Sequence, residues 1–273
     1  MSEFITNNYG ISLEGQVVGA DMVVQAVKMV NSYFKDHIVT EEDIDFYSSL
    51  LEGGALSSGI GALFNQYLAK LSNNNLMVNP VRGGNPDILN MAGDEAKKRF
   101  EYNTSKFGNN VNVWAPEVFG YIQKYEYGGI ETKCTSLTKP PKTMKNSHIS
   151  FGWGEQRIKF SKSFCWSAHH NENDNLCGIV WDFVNGLPKI VCVMYSELKF
   201  SDWGKPHKTE GNKSTNGYSL NGDGIRKMKD GWLCVLDDQD YIDAFKLQMR
   251  TGDGVTMKPL VSKWKSEENF ALW

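Results

Sequence analysis

The sequence predicts an α/β (α+β) fold: a mixed central β-sheet flanked by helices, with a helical N-terminal layer. Three observations carry this. Residues 19–36 and 55–72 repeat apolar side chains at helical spacing. Residues 176–184 and 189–195 are near-continuous apolar runs on either side of Asn185-Gly186-Leu187-Pro188, the pattern of strands covered on both faces. A further apolar segment, 231–236, precedes an amphipathic one, 241–249. Helices first, then strands, then a last helix make one layered domain.

The elements follow in order. The first 75 residues read as helical. Val23, Val27, Val30 and Phe34 share one helical face. Thr40 and Asp43 have the spacing of a capping box, and Gly53-Gly54 ends the segment they open. Leu56, Leu63, Phe64, Leu68 and Leu71 mark a third helix. Asn73-Asn74-Asn75 is a loop, and Gly83-Gly84-Asn85-Pro86 is a tight turn. Residues 94–100 predict a short helix. Residues 111–114, 119–127, 130–136 and 151–160 predict strands ahead of the two apolar runs. The polar stretch 201–224 predicts a surface loop, and Asn221-Gly222-Asp223-Gly224 reads as a turn. The domain divides into a helical layer (1–75), a catalytic sheet core (76–250) and a tail (251–273).

The 273 residues are 41% apolar and 22% charged, with net charge −3. That excludes disorder and a generally basic, nucleic-acid-coating protein. It leaves room for an enzyme that concentrates positive charge in one cleft. The five cysteines form no C-x-x-C pair, which predicts buried, reduced thiols. The first residues show neither a basic segment nor an apolar run, so the expected location is cytoplasmic.

Two separated segments carry the strongest chemistry. Asp87 follows Pro86 behind two glycines, and Glu131-Thr132-Lys133 lies far downstream. On a strand, residues two apart share a face, so Glu131 and Lys133 stand side by side. With Asp87 alongside they form an oxygen-rich site of the kind hard Mg²⁺ prefers, with an amine to hold or deprotonate a water. That set suits in-line hydrolysis of a phosphodiester. The rival Glu95-Ala96-Lys97 lies in a helix-like stretch, where i and i+2 do not share a face.

A second cluster joins Cys165, His169, His170, Asn171, Glu172, Asp174 and Cys177. Its spacing matches no common zinc pattern, and a histidine-based nuclease is a competing reading. His170 and Asn171 fit better as a polar edge touching phosphates or bases. Lys139, Lys142 and Lys145 punctuate one polar segment, and Lys205, Lys208 and Lys213 another. Lysines contact phosphates, so both segments are candidate DNA-binding surfaces.

Together these parts resemble the PD-(D/E)XK nucleases, and type II restriction endonucleases in particular. The parts are Gly61-Ala62-Leu63-Phe64-Asn65, Gly84-Asn85-Pro86-Asp87 and Gly129-Ile130-Glu131-Thr132-Lys133, then His170-Asn171, Trp181-Asp182-Phe183, Asp202-Trp203 and Gly231-Trp232. The resemblance implies a mixed sheet flanked by helices, Mg²⁺ on Asp87 and Glu131, and a water positioned by Lys133. It also implies a contribution from the first helix, for which Asn65 and Glu52 are the candidates. The long spacing between Asp87 and Glu131 implies an insertion over 94–125. The implied activity is sequence-specific cleavage of double-stranded DNA by a homodimer. The alternatives are a repair or phage nuclease of the same superfamily and a non-catalytic DNA-binding module.

Overall fold

A computed structural model describes residues 3–49, 54–81, 84–107, 125–137, 158, 160, 166–168, 174–208 and 216–250. The chain opens with strands β1 (Phe4–Thr6), β2 (Gly10–Leu13) and β3 (Gln16–Gly19). This corrects the helical reading of the first residues. Strands of three or four residues are too short to set up a visible period. Helices α1 (Ala20–His37), α2 (Glu41–Ser49) and α3 (Ala55–Leu71) follow as expected. The capping box at α2 forms: Asp43 N donates to Thr40 Oγ1 (3.1 Å), and Thr40 N donates to Asp43 Oδ2 (3.0 Å).

Next come β4 (Leu76–Val78), β5 (Ile88–Asn90), α4 (Asp94–Phe107), β6 (Gly129–Ser136) and β7 (Ser167–Ala168). Then β8 (Asp174–Val184), β9 (Leu187–Leu198), β10 (His207–Lys208) and β11 (Asn216–Ser219) lead to α5 (Gly222–Asp230), β12 (Trp232–Leu236) and α6 (Gln239–Arg250). The expected strand at 119–127 is not one where it is described, since Glu126-Tyr127 is a turn. The expected strand at 111–114 lies outside the described residues. Of 151–160, only Ile158 and Phe160 are described.

The fold is α+β, with a seven-stranded sheet in the order β1-β12-β9-β8-β6-β5-β4. Only β6 and β8 pair in parallel, so the sheet is mixed. The β8–β9 hairpin turns at Asn185 and Gly186, both at positive φ, the geometry that matches strand twist. Alternation along β8 shows the two helical layers. Trp181 donates from Nε1 to Ser57 Oγ on α3, and its neighbour Asp182 accepts from Tyr241 on α6. α3 therefore lies on one face and α6 on the other, with α1 beside α3. Among the described residues no helix is long and apolar enough to cross a membrane.

Segment 201–224 is more than a surface loop. A 3-10 turn (Phe200–Asp202), β10, β11 and the start of α5 occupy it. Asp202 and Trp203 are buried, and Lys227 holds the Asp202 carboxylate at 2.6 Å. Asn221 accepts from Asp223 N and Gly224 N, so the expected turn is a helix N-cap. Polar residues here serve as caps and ion-pair partners, which composition alone reads as solvent exposure.

Asn31 ties α1 to the sheet. Its Oδ1 accepts from Ile190 N (2.8 Å) and its Nδ2 donates to Ile190 O (3.2 Å), beside an irregularity in the β8–β9 pairing. Asn31→Leu leaves both Ile190 groups buried without partners. The expected loss is about 2–4 kcal/mol of unfolding free energy, read from a urea titration.

Candidate active site

The site is built around β6. Alternation turns Ile130, Thr132 and Cys134 toward α3, and Glu131 and Lys133 toward the opposite face. A Cβ placed on Gly61 of α3 would stand 3.4 Å from the Cβ of Cys134, which marks the helix as packed against this strand.

β5 pairs with only the first residues of β6, Leu89 with Gly129 and Ile88 with Ile130. Asp87 immediately precedes β5, beyond those paired residues. Here the Asp87 side chain replaces the ladder. Its Oδ2 accepts from Thr132 N and from Thr132 Oγ1, each at 2.8 Å. The corner carrying it is pinned by Asn79, whose N donates to Asp87 O (2.8 Å) and whose Nδ2 donates to Pro86 O (2.9 Å). Gly129 permits the approach: a Cβ there would stand 1.9 Å from Ile88 O and 2.6 Å from Pro86 Cγ.

Asn65, from the middle of α3, joins the same network. Its Nδ2 donates to Thr132 Oγ1 (3.0 Å), whose proton goes on to Asp87. A directed chain therefore runs from Asn65 through Thr132 to Asp87. Asn65 Oδ1 is buried with no hydrogen-bond partner. Both bonds to Asp87 fall on Oδ2, so Oδ1 keeps its lone pairs.

These residues line one open cleft of about 370 Å³. α3 contributes Ser57, Ser58, Gly61, Ala62 and Asn65. Asp87, Thr132, Lys133 and Cys134 form the other wall. Burial and the neighbouring Cys177 push the Cys134 thiol well above its ordinary range, so it is a neutral wall group. Glu131 is 7% exposed, forms an ion pair with Lys133, and is not among the residues lining the cleft.

The expected site residues thus divide. Asp87, Lys133 and Asn65 meet in one cleft, and Glu131 reaches it through Lys133. Lys205 is exposed, and Lys208 lies in β10 opposite Asn216; neither lines the cleft. Glu52, Lys139, Lys142, Lys145, His170, Asn171 and Lys213 lie outside the described residues. The rival Glu95 and Lys97 stand on helix α4, where they do not share a face. Among the described residues no group of three or more His, Cys, Asp and Glu side chains gathers to hold a metal.

Thr132 is the residue of this network that the sequence did not single out. As the middle residue of Glu-x-Lys it points away from the charged pair. Its role depends on α3 and Asp87 converging from distant parts of the chain. Thr132→Val removes one of two donors to Asp87 and leaves Asn65 Nδ2 without its acceptor. Its expected effect is a roughly tenfold weaker divalent-cation affinity, measured by calorimetry, with the fold retained.

No protein-family model, curated protein or solved structure matches this chain.

Proposed function

We propose that this protein is a Mg²⁺-dependent DNA endonuclease that hydrolyses phosphodiester bonds at the α3–β6 cleft. The observation that carries the reading is the meeting of Asp87 and Lys133 in one cleft, with Glu131 paired to that lysine. The donor chemistry fits the ion. Asp87, which lines the cleft, offers Oδ1 as a hard oxygen donor of the kind Mg²⁺ requires, and Glu131 is a second carboxylate paired to Lys133 behind that lining. When bound there, Mg²⁺ supplies charge neutralisation for the phosphate oxygens and a more acidic water.

The chain's own groups do the rest. Thr132 fixes the Asp87 carboxylate by holding one oxygen and freeing the other. Lys133 carries three donors, of which Glu131 takes one; the others hold the attacking water or a non-bridging phosphate oxygen. Glu131 holds the ammonium in place. The mixed sheet supplies the rigid strand on which these groups stand.

Within this reading the protein is a type II restriction enzyme, cutting both strands of a short site as a homodimer in the cytoplasm. Two-fold protein symmetry matches a two-fold site. The competing reading is a DNA-binding module that keeps the fold without the chemistry. It draws on the same ion pair, which cancels the lysine's charge.

The test is digestion of long duplex DNA in Mg²⁺ or Mn²⁺. Discrete fragments from the wild type, lost in Lys133→Ala, support the restriction reading. Smears favour a repair or phage nuclease. Binding without cleavage favours the module, and full cleavage by Lys133→Ala overturns the site.

A further inference from the structure

The cleft extends well beyond the proposed chemistry. It follows α3 from Asn65 back to Ser57 at the helix's first turn. Eight residues of helix cover about 12 Å, comparable to roughly three nucleotide steps along a strand. Between these ends the helix presents Gly61 and Ala62, which leave the wall without bulk.

The two serines at the far end differ. Ser58 Oγ donates to Gly54 O (3.1 Å), so its proton is used within the helix. Ser57 Oγ instead accepts from Nε1 of the fully buried Trp181 at 2.9 Å. That bond occupies a lone pair and leaves the Ser57 proton to point elsewhere, on a side chain that lines the cleft. The indole is fixed in the core, so the hydroxyl is a pre-oriented donor. Around it, α3 starts at Gly54 with no side-chain cap and no acidic residue in its first turn. The dipole of α3 favours an anion there. At the other end Asn65, nine-tenths buried, keeps an acceptor oxygen without a partner, an independent sign that the cleft awaits a ligand.

We propose that the α3 wall is a strand track, in which Ser57 takes a DNA phosphate flanking the scissile one. The sugar-phosphate backbone between them lies over Gly61 and Ala62. The inference rests on the nuclease reading and extends it, because it names where the strand enters.

Ala62 is exposed on the helix, and leucine is a good helix former, so Ala62→Leu fills the track without disturbing the fold. The probe is duplex DNA in Ca²⁺, followed by fluorescence anisotropy, with Mn²⁺ binding followed separately by electron paramagnetic resonance. Ala62→Leu is expected to weaken duplex binding roughly tenfold or more while Mn²⁺ binding stays at the wild-type level. Replacing single phosphates by uncharged methylphosphonates is expected to find one position, within about three nucleotides of the cut, that weakens wild-type binding. Ser57→Ala is expected to be indifferent to that same replacement. If Ala62→Leu binds and cuts DNA as well as the wild type does, the track alone is overturned. Unchanged methylphosphonate sensitivity in Ser57→Ala overturns the Ser57 contact. A wild type that binds no duplex at all overturns the track together with the nuclease reading.

Discussion

Asp87→Ala is expected to abolish DNA cleavage and divalent-cation binding together. The expected fall in rate is about a thousandfold or more, since a bound cation supplies several kcal/mol of transition-state stabilisation. The structural reason is specific. Among the described residues Asp87 is the one carboxylate lining the cleft, and its hydrogen bonds leave its Oδ1 alone. Lys133→Ala makes the informative contrast. It removes a proton donor worth about 10²–10⁴ in rate, but no cation ligand. Cleavage should fall while Mn²⁺ affinity holds, because an ammonium is no cation ligand. Calorimetry on both variants, beside a cleavage assay, separates the two roles. Loss of cation binding in Lys133→Ala, with retention in Asp87→Ala, refutes the assignment.

Alkaline solution destabilises the protein steeply. Cys177, Cys192 and Cys234 are fully buried in adjacent strands, and burial raises each thiol, Cys234 to about 12. Unfolded thiols ionise near pH 8.5. Below that value both states hold their protons, and the contribution to stability is complete. Above it the unfolded chain releases protons that the native chain keeps, so stability is lost as pH rises toward the native values. With Cys134 as a fourth raised thiol, the slope is about 1.4 kcal/mol per pH unit per thiol, or about 6 for the four. Against a typical stability of about 5–15 kcal/mol, that unfolds the domain within a few pH units. Urea midpoints between about pH 8 and pH 11 measure the slope. Cys192→Val combined with Cys234→Val should reduce it to about half, and an unchanged slope removes the thiols as its cause.

The sheet's centre was legible because its strands are long. β8 and β9 are apolar on both faces and turn at Asn185-Gly186, a signal strong enough to survive without any alignment. The edges were not. β1, β4 and β5 have three residues each, fewer than two periods of alternation, and Asn90 and Thr6 look polar in isolation. The candidate site splits the same way. Glu131 and Lys133 were found from period-two spacing on one strand, a local property. Asp87 was found by order along the chain. The bond from Asp87 to Thr132, and the approach of Asn65, depend on α3 folding over β6, and no spacing in the sequence encodes that. Ser57 was invisible for the same reason, since its distinguishing partner, Trp181, lies 124 positions away.

The two outer strands of the large sheet, β1 and β4, have three residues apiece. So few main-chain groups make a poor template for edge-to-edge joining, which guards the monomer against aggregation through its sheet. The same brevity bears on the proposed two-fold assembly: a second copy would gain little by continuing the seven-stranded sheet and would have to meet this chain elsewhere on its surface.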